Sequence, residues 1–163
     1  MFTGIITAVG TVLSVAEAAD VRRFVIAADY DPDGVEIGAS IACGGPCLTV
    51  TEKRAEGSGV AFSVDVGPET QRLTTVGDWR VGTRLNIERS LKIGDELGGH
   101  LVSGHVDGMA RIVGREDFAE TVRFAFEAPP PLHRFIAAKG SVALDGTSLT
   151  VNTVDGTRFS CHL

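Results

Sequence analysis

Cysteine is scarce in this chain: three in 163 residues, an odd number that does not make a disulfide framework. Basic residues are outnumbered, 15 Lys and Arg against 21 Asp and Glu. The resulting net charge of −6 excludes a nucleic-acid binder that works by neutralising phosphates along a basic stripe. No run of about 18 apolar residues occurs, so the sequence contains no membrane-spanning helix. The opening Met1-Phe2-Thr3-Gly4-Ile5-Ile6 lacks the charged start and long apolar stretch of a secretory signal, and a cytoplasmic protein is expected. There is no low-complexity tract, and 44% hydrophobic with 22% charged residues is ordinary globular composition. Walker loops, a G-x-G-x-x-G following a strand, and a Ser-His-Asp order are all missing. Nucleoside triphosphate use and a Rossmann-bound cofactor therefore have no support.

What the chain does have is itself, nearly twice. Ser40-Ile41-Ala42-Cys43-Gly44-Gly45-Pro46-Cys47-Leu48-Thr49-Val50 is echoed 101 positions later by Ser141-Val142-Ala143-Leu144-Asp145-Gly146-Thr147-Ser148-Leu149-Thr150-Val151, with six of eleven pairs identical. Thr3-Gly4 has a counterpart in Ser103-Gly104, and Phe62-Ser63 in Phe159-Ser160. A period this long exceeds the roughly 20–50 residues of a solenoid unit and matches a small domain. The reading is two duplicated domains in tandem, 1–92 and 93–163, joined by the polar Arg89-Ser90-Leu91-Lys92-Ile93-Gly94-Asp95-Glu96. Cys47 in the first copy stands where Ser148 stands in the second, so two similar sites carry different decoration.

Short segments rich in β-formers and bounded by glycine dominate both copies. They include 10–15, 23–27, 48–51, 60–66 and 84–88 in the first, and 110–113, 122–126, 141–144 and 149–152 in the second. Twenty glycines among such segments predict small closed β-barrels. Helical signal is limited to one turn after Pro68 and another after Pro130. The second copy stops soon after Phe159-Ser160-Cys161-His162, where the first continues to Glu88. Its barrel is expected to fall short by a strand or more, leaving an unpaired edge that marks a fragment or is covered by a partner.

Cys47 follows Gly45-Pro46 at a strand start, and a thiol there is either a nucleophile in an exposed, electropositive setting or an inert buried side chain. Cys43, Cys47, His100 and His105 suggest a zinc tetrad, but no second clean ligand pair follows, and no metal is expected. Gly98-Gly99-His100-Leu101-Val102-Ser103-Gly104-His105-Val106 is the densest polar cluster. It is either a solvated loop or a place where two histidines handle protons beside a closely approaching ligand. Ser40, Thr49, Ser148 and Thr150 either hydrogen-bond a heterocycle or cap turns. His133, after three prolines, is expected on a surface turn.

Met1-Phe2-Thr3-Gly4-Ile5, Gly45-Pro46-Cys47-Leu48-Thr49-Val50, Gly98-Gly99-His100 through His105-Val106, and Asp145-Gly146-Thr147-Ser148-Leu149-Thr150-Val151 together resemble riboflavin synthase of the α-chain type. The resemblance runs over the whole chain. It implies an all-β fold of two tandem six-stranded Greek-key barrels, the second incomplete here, because the family continues by a tail that completes it and adds a helix used for a homotrimer. It also implies a cofactor-free dismutation of two 6,7-dimethyl-8-ribityllumazine molecules into riboflavin and 5-amino-6-ribitylaminouracil. By the same resemblance, each site is expected between the first barrel of one chain and the second of a neighbour. The chain departs from the family at Gly44, usually Asn, and at Pro46.

Carried over by position, the resemblance puts Gly4, Ile5 and Ile6 in the first-barrel pocket with Cys47, Leu48 and Thr49, the opening Met1, Phe2 and Thr3 beside them. Asp65, Val66, Gly67, Pro68, Glu69 and Thr70 line its far side. The second pocket draws on Gly104, His105, Val106, Lys139, Ser148, Leu149, Thr150, His162 and Leu163. Ser40, Cys47, His100 and His105 are the implied catalytic residues: a histidine takes a proton from the 7-methyl group of one lumazine, and Ser40 or Cys47 serves a nucleophile at C7 of the other. The partners implied are this substrate and riboflavin, with no nucleic acid or membrane. The competing readings are a lumazine- or flavin-binding protein without chemistry, a flavin domain of the ferredoxin-reductase type, and a purely structural module.

Overall fold

The computed structural model describes all residues, 1–163. Strands β1 (Ala8–Ala18), β2 (Val21–Ala28), β3 (Ser40–Cys43), β4 (Cys47–Glu56), β5 (Gly59–Val66) and β6 (Arg84–Arg89) close into a barrel in the order β1-β2-β5-β4-β3-β6. Closure comes from β6, whose Ile87 pairs with Ala8 of β1 on one side and with Cys43 of β3 on the other. Alternation fills the interior: Phe24, Ile26 and Ala28 of β2 meet Val60, Phe62, Val64 and Val66 of β5, with Ile41, Leu48, Val50, Leu85 and Ile87 completing the core. Register shifts at Val12/Ser14 and Val50/Glu52 bend β1 and β4, as a small barrel requires. Helix α1 (Pro68–Leu73) starts on its proline as the sequence predicts, and Trp79 packs edge-on against Phe24.

The second copy repeats the plan with a weaker core. Strands β7 (Arg111–Asp117), β8 (Val122–Glu127), β11 (Thr153–Asp155) and β12 (Arg158–His162) form one sheet in the order β11-β12-β8-β7. Strands β9 (Ser141–Leu144) and β10 (Thr147–Thr150) form a separate hairpin. The bend of β1 recurs in β7, between Ile112 and Gly114. The long β4 of the first copy becomes β10 and β11 in the second, interrupted at Val151 and Asn152. Strands β7 and β9, whose counterparts flank β6, have no strand between them. Val142, Leu144 and Leu149 are accordingly only partly buried around Phe126, Val151 and Phe159, whereas their counterparts Ile41, Cys43 and Leu48 are fully buried. The turn after Pro129 is the four-residue helix α2 (Pro130–His133), and His133 is half-buried with Nδ1 unpartnered, not on an exposed turn.

The copies are joined by an exchange of arms. Phe2 and Val102 form a two-way antiparallel bridge, N–H to carbonyl at 2.7 and 3.0 Å, with Phe2 fully buried. From that crossing the N-terminal arm runs to the second copy and the 103–106 arm runs to the first.

Candidate active site

The β3–β4 hairpin sends Ile41, Cys43, Leu48 and Val50 inward, so Ser40, Ala42, Cys47 and Thr49 are left on the outer face. The arm from the second copy lies across that face. The Cys47 N–H donates to the Gly104 carbonyl at 2.8 Å, and a cavity of roughly 280 Å3 opens beside it. Cys47 lines this cavity with His105, Val106, Pro46, Glu69, Thr70, Leu73 and Thr74. The thiol is partly exposed, which removes the inert-core reading of this cysteine. Cys43, by contrast, is buried in the barrel, where desolvation pushes its thiol far up, and no cluster of three metal-ligating side chains forms.

The second copy mirrors this arrangement with the other arm. The Ser148 N–H donates to the Gly4 carbonyl at 2.9 Å. Gly4 and Gly104 share a φ of +75°, and a Cβ on either would collide with the residue it caps, Ser148 or Cys47. His100 pairs through Nδ1 with the Ser148 hydroxyl while its own N–H donates to the Thr3 carbonyl at 2.9 Å. Within the chain, then, Gly4 meets Ser148 and Ile6 lies against Gly146, whereas Gly104, His105 and Val106 stand beside Cys47.

Other expected site residues are placed elsewhere. Leu48 and Val66 belong to the barrel core, and Asp65 is turned into an ion pair with Arg23, at 2.6 Å, which lowers its carboxyl. Gly67 and Pro68 begin α1 outside the cavity that Glu69 and Thr70 line. Met1 is exposed, and Phe2 is the buried plug of the arm crossing. Ser40 faces a different, larger cavity of about 600 Å3 with Thr3, Ile5, Glu88 and the connector after Arg89. Lys139 holds a positive φ of 65° where its counterpart is Gly38, and its N–H donates to Val151. Leu149 packs on the second core and Thr150 is exposed. His162 lies at the end of β12 against Phe118, and Leu163 pairs with Val122, so no contact ties either to Ser148.

Two residues escape any sequence pattern. Glu88, only 4% exposed, accepts from Thr3 N–H and Thr3 Oγ1, both at 2.6 Å, and from Gly4 N–H at 2.9 Å. Its carboxylate thus anchors the N-terminal arm to the first barrel just before the arm crosses. Asn86 donates from Nδ2 to the carbonyl and to Oδ2 of Asp145, at 3.0 and 2.9 Å. Both partners are remote in sequence, which is why spacing gives no hint of either.

Two such half-sites, each built from a hairpin of one copy and an arm of the other, define a tandem β-barrel protein, with a cavity beside the Cys47 half-site. The lumazine binding domain family matches residues 3–90 and 103–163. The chain is 54% identical to the riboflavin synthase of Brucella abortus (strain 2308), spanning 100% of this chain and 81% of that protein. It is 41% identical to the riboflavin synthase of Escherichia coli (strain K12), spanning 100% and 76%. It therefore belongs to the riboflavin synthase family. Among solved structures, LumP complexed with riboflavin superposes with a TM-score of 0.85 at 21% identity, over 99% of this chain and 86% of that one, and shares its fold.

Proposed function

We propose that this chain is a riboflavin synthase, a transferase that moves a four-carbon unit from one 6,7-dimethyl-8-ribityllumazine to another. The observation that carries the reading is the pair of arm-capped hairpins in a chain with 54% identity to a riboflavin synthase. Two identical substrates need two similar pockets, and different fates need different side chains. Cys47 with His105 on one side, and Ser148 with His100 on the other, supply that difference. His105 takes a proton from the acidic methyl group of the lumazine in the Cys47 cavity, and the small residues around it let the ring lie flat on the outer face. Stacking the two rings in reacting order is the larger contribution, about 7–11 kcal/mol for well-oriented reactants. No cofactor enters the scheme.

Following the family resemblance, the working unit is a homotrimer in which the Cys47 pocket of one chain meets the Ser148 pocket of a neighbour. The test mixes the purified chain with 6,7-dimethyl-8-ribityllumazine alone and follows riboflavin absorbance, with sedimentation of the same sample for the assembly. Riboflavin growth that is lost in His105→Ala supports the reading. Binding without turnover favours a lumazine carrier, and no binding rejects both.

A further inference from the structure

The Cys47 and Ser148 half-sites are presented by two turns that meet tip to tip. In the first copy Gly44 and Gly45, with φ of +57° and +112°, reverse the chain between Cys43 and Cys47. In the second, Asp145 and Gly146, at +50° and +81°, do the same between β9 and β10. Cys47 lies three residues past Gly44, and Ser148 three past Asp145. The tips face each other closely: a Cβ on Gly146 would stand 3.3 Å from the Gly45 nitrogen, and one on Gly44 would stand 3.3 Å from Asp145 Oδ1. Asp145 thus fills the space that the bare Gly44 leaves, while itself holding a left-handed conformation that a side chain rarely adopts.

A single residue of β6 holds both tips. The Asn86 carbonyl accepts from the Gly44 N–H at 2.7 Å, and the Asn86 amide donates twice to Asp145. Because β6 closes the first barrel, the rigid element that fixes the Cys47 turn also fixes the Ser148 turn of the looser second copy. We infer that Asn86 is a positioning residue which, through Asp145, fixes the turn that presents Ser148 for ligand. Its side chain acts on the Ser148 half-site alone, since its hold on Gly44 is through the backbone. This rests on the pockets binding lumazine or riboflavin, as proposed above, but it also predicts a difference in the unliganded chain.

The experiment uses the full chain and reads two equivalent amides, Cys47 and Ser148, by nuclear magnetic resonance. In the unliganded Asn86→Ala variant, hydrogen exchange at Ser148 rises at least fivefold while exchange at Cys47 is unchanged. On titration with riboflavin, affinity read at Ser148 falls about tenfold and affinity read at Cys47 stays within twofold. The exchanged pair Asn86→Asp with Asp145→Asn, which can remake the side-chain bond with donor and acceptor reversed but not the bond to the residue-145 carbonyl, recovers part of both losses; Asn86→Asp alone recovers neither. Equal effects at the two amides, accompanied by a matching fall in Tm, would make Asn86 merely structural and overturn the inference. So would unaltered Ser148 exchange, or an exchanged pair no better than the single variant. A wild-type chain that binds no riboflavin would defeat the functional reading instead, and the exchange measurement would still decide the role of Asn86.

Discussion

Gly104 stands so close to Cys47 that a Cβ placed on it would lie 2.7 Å from the Cys47 Cβ, with the Cys47 N–H already bonded to its carbonyl. The same relation holds between Gly4 and Ser148. Adding a methyl group at either glycine meets both a positive φ and a packed neighbour. Gly104→Ala and Gly4→Ala are each expected to destabilise the chain by about 1–3 kcal/mol. Their functional effects separate, since Gly104→Ala weakens ligand binding at the Cys47 pocket and Gly4→Ala at the Ser148 pocket. Urea unfolding and site-resolved titration of each variant check this. Loss confined to the arm's own copy would contradict the exchange.

Glu88 gathers three donors from two residues of the N-terminal arm. Glu88→Ala leaves buried N–H groups without an acceptor and releases the arm. The expected cost is about 1.5–3 kcal/mol, the range for hydrogen bonds to a charged group. Hydrogen exchange at Thr3 and Gly4 should quicken, followed by Ser148, whose partner is the Gly4 carbonyl. Unaltered exchange at Ser148 would show that the arm is held without Glu88.

Burial raises the Asp145 carboxyl above its ordinary 3.8. The folded chain therefore binds this proton more tightly than the unfolded chain does. The associated stability is fully present below 3.8 and is lost as pH rises through the raised value. Asp145→Asn keeps an acceptor for Asn86 and suits a left-handed turn position, so it should flatten the stability profile across that acid window. Melting temperatures of the two proteins, compared in steps from pH 3.5 upward, test this. Parallel curves would contradict it.

The two cores are unequal although their sequences are aligned. Ile41 is 1% exposed inside a closed barrel, whereas its counterpart Val142 sits half-buried beside an open flank. Ile41→Ala is expected to cost about 2–5 kcal/mol, and Val142→Ala less than half as much. Denaturant unfolding of both variants gives the comparison directly.

Much of this architecture is legible in the sequence because strand patterning and glycine placement are local. Segments 23–27 and 60–66 lie within β2 and β5, and Pro68 opens α1. The internal echo exposes the duplication. The echo cannot say which copy an arm serves: a segment that recurs at constant spacing looks the same whether it packs at home or crosses over. Only the folded chain shows Gly4 against Ser148 and Gly104 against Cys47. The interruption of the β4 counterpart at Val151 and Asn152 is equally silent, since Leu149-Thr150-Val151-Asn152 has an unbroken strand composition. Glu88 and Asn86 depend on contacts across 84–85 and 59 positions, which no motif encodes.

The arm crossing at Phe2 and Val102 also constrains how the two halves can diverge. A change at Gly4 is inherited with the first half of the gene but felt by the substrate of the second; a change at Gly104 works the other way. Each half-site therefore has two sources of difference, a strand residue of its own copy, Cys47 or Ser148, and an arm that belongs to the other.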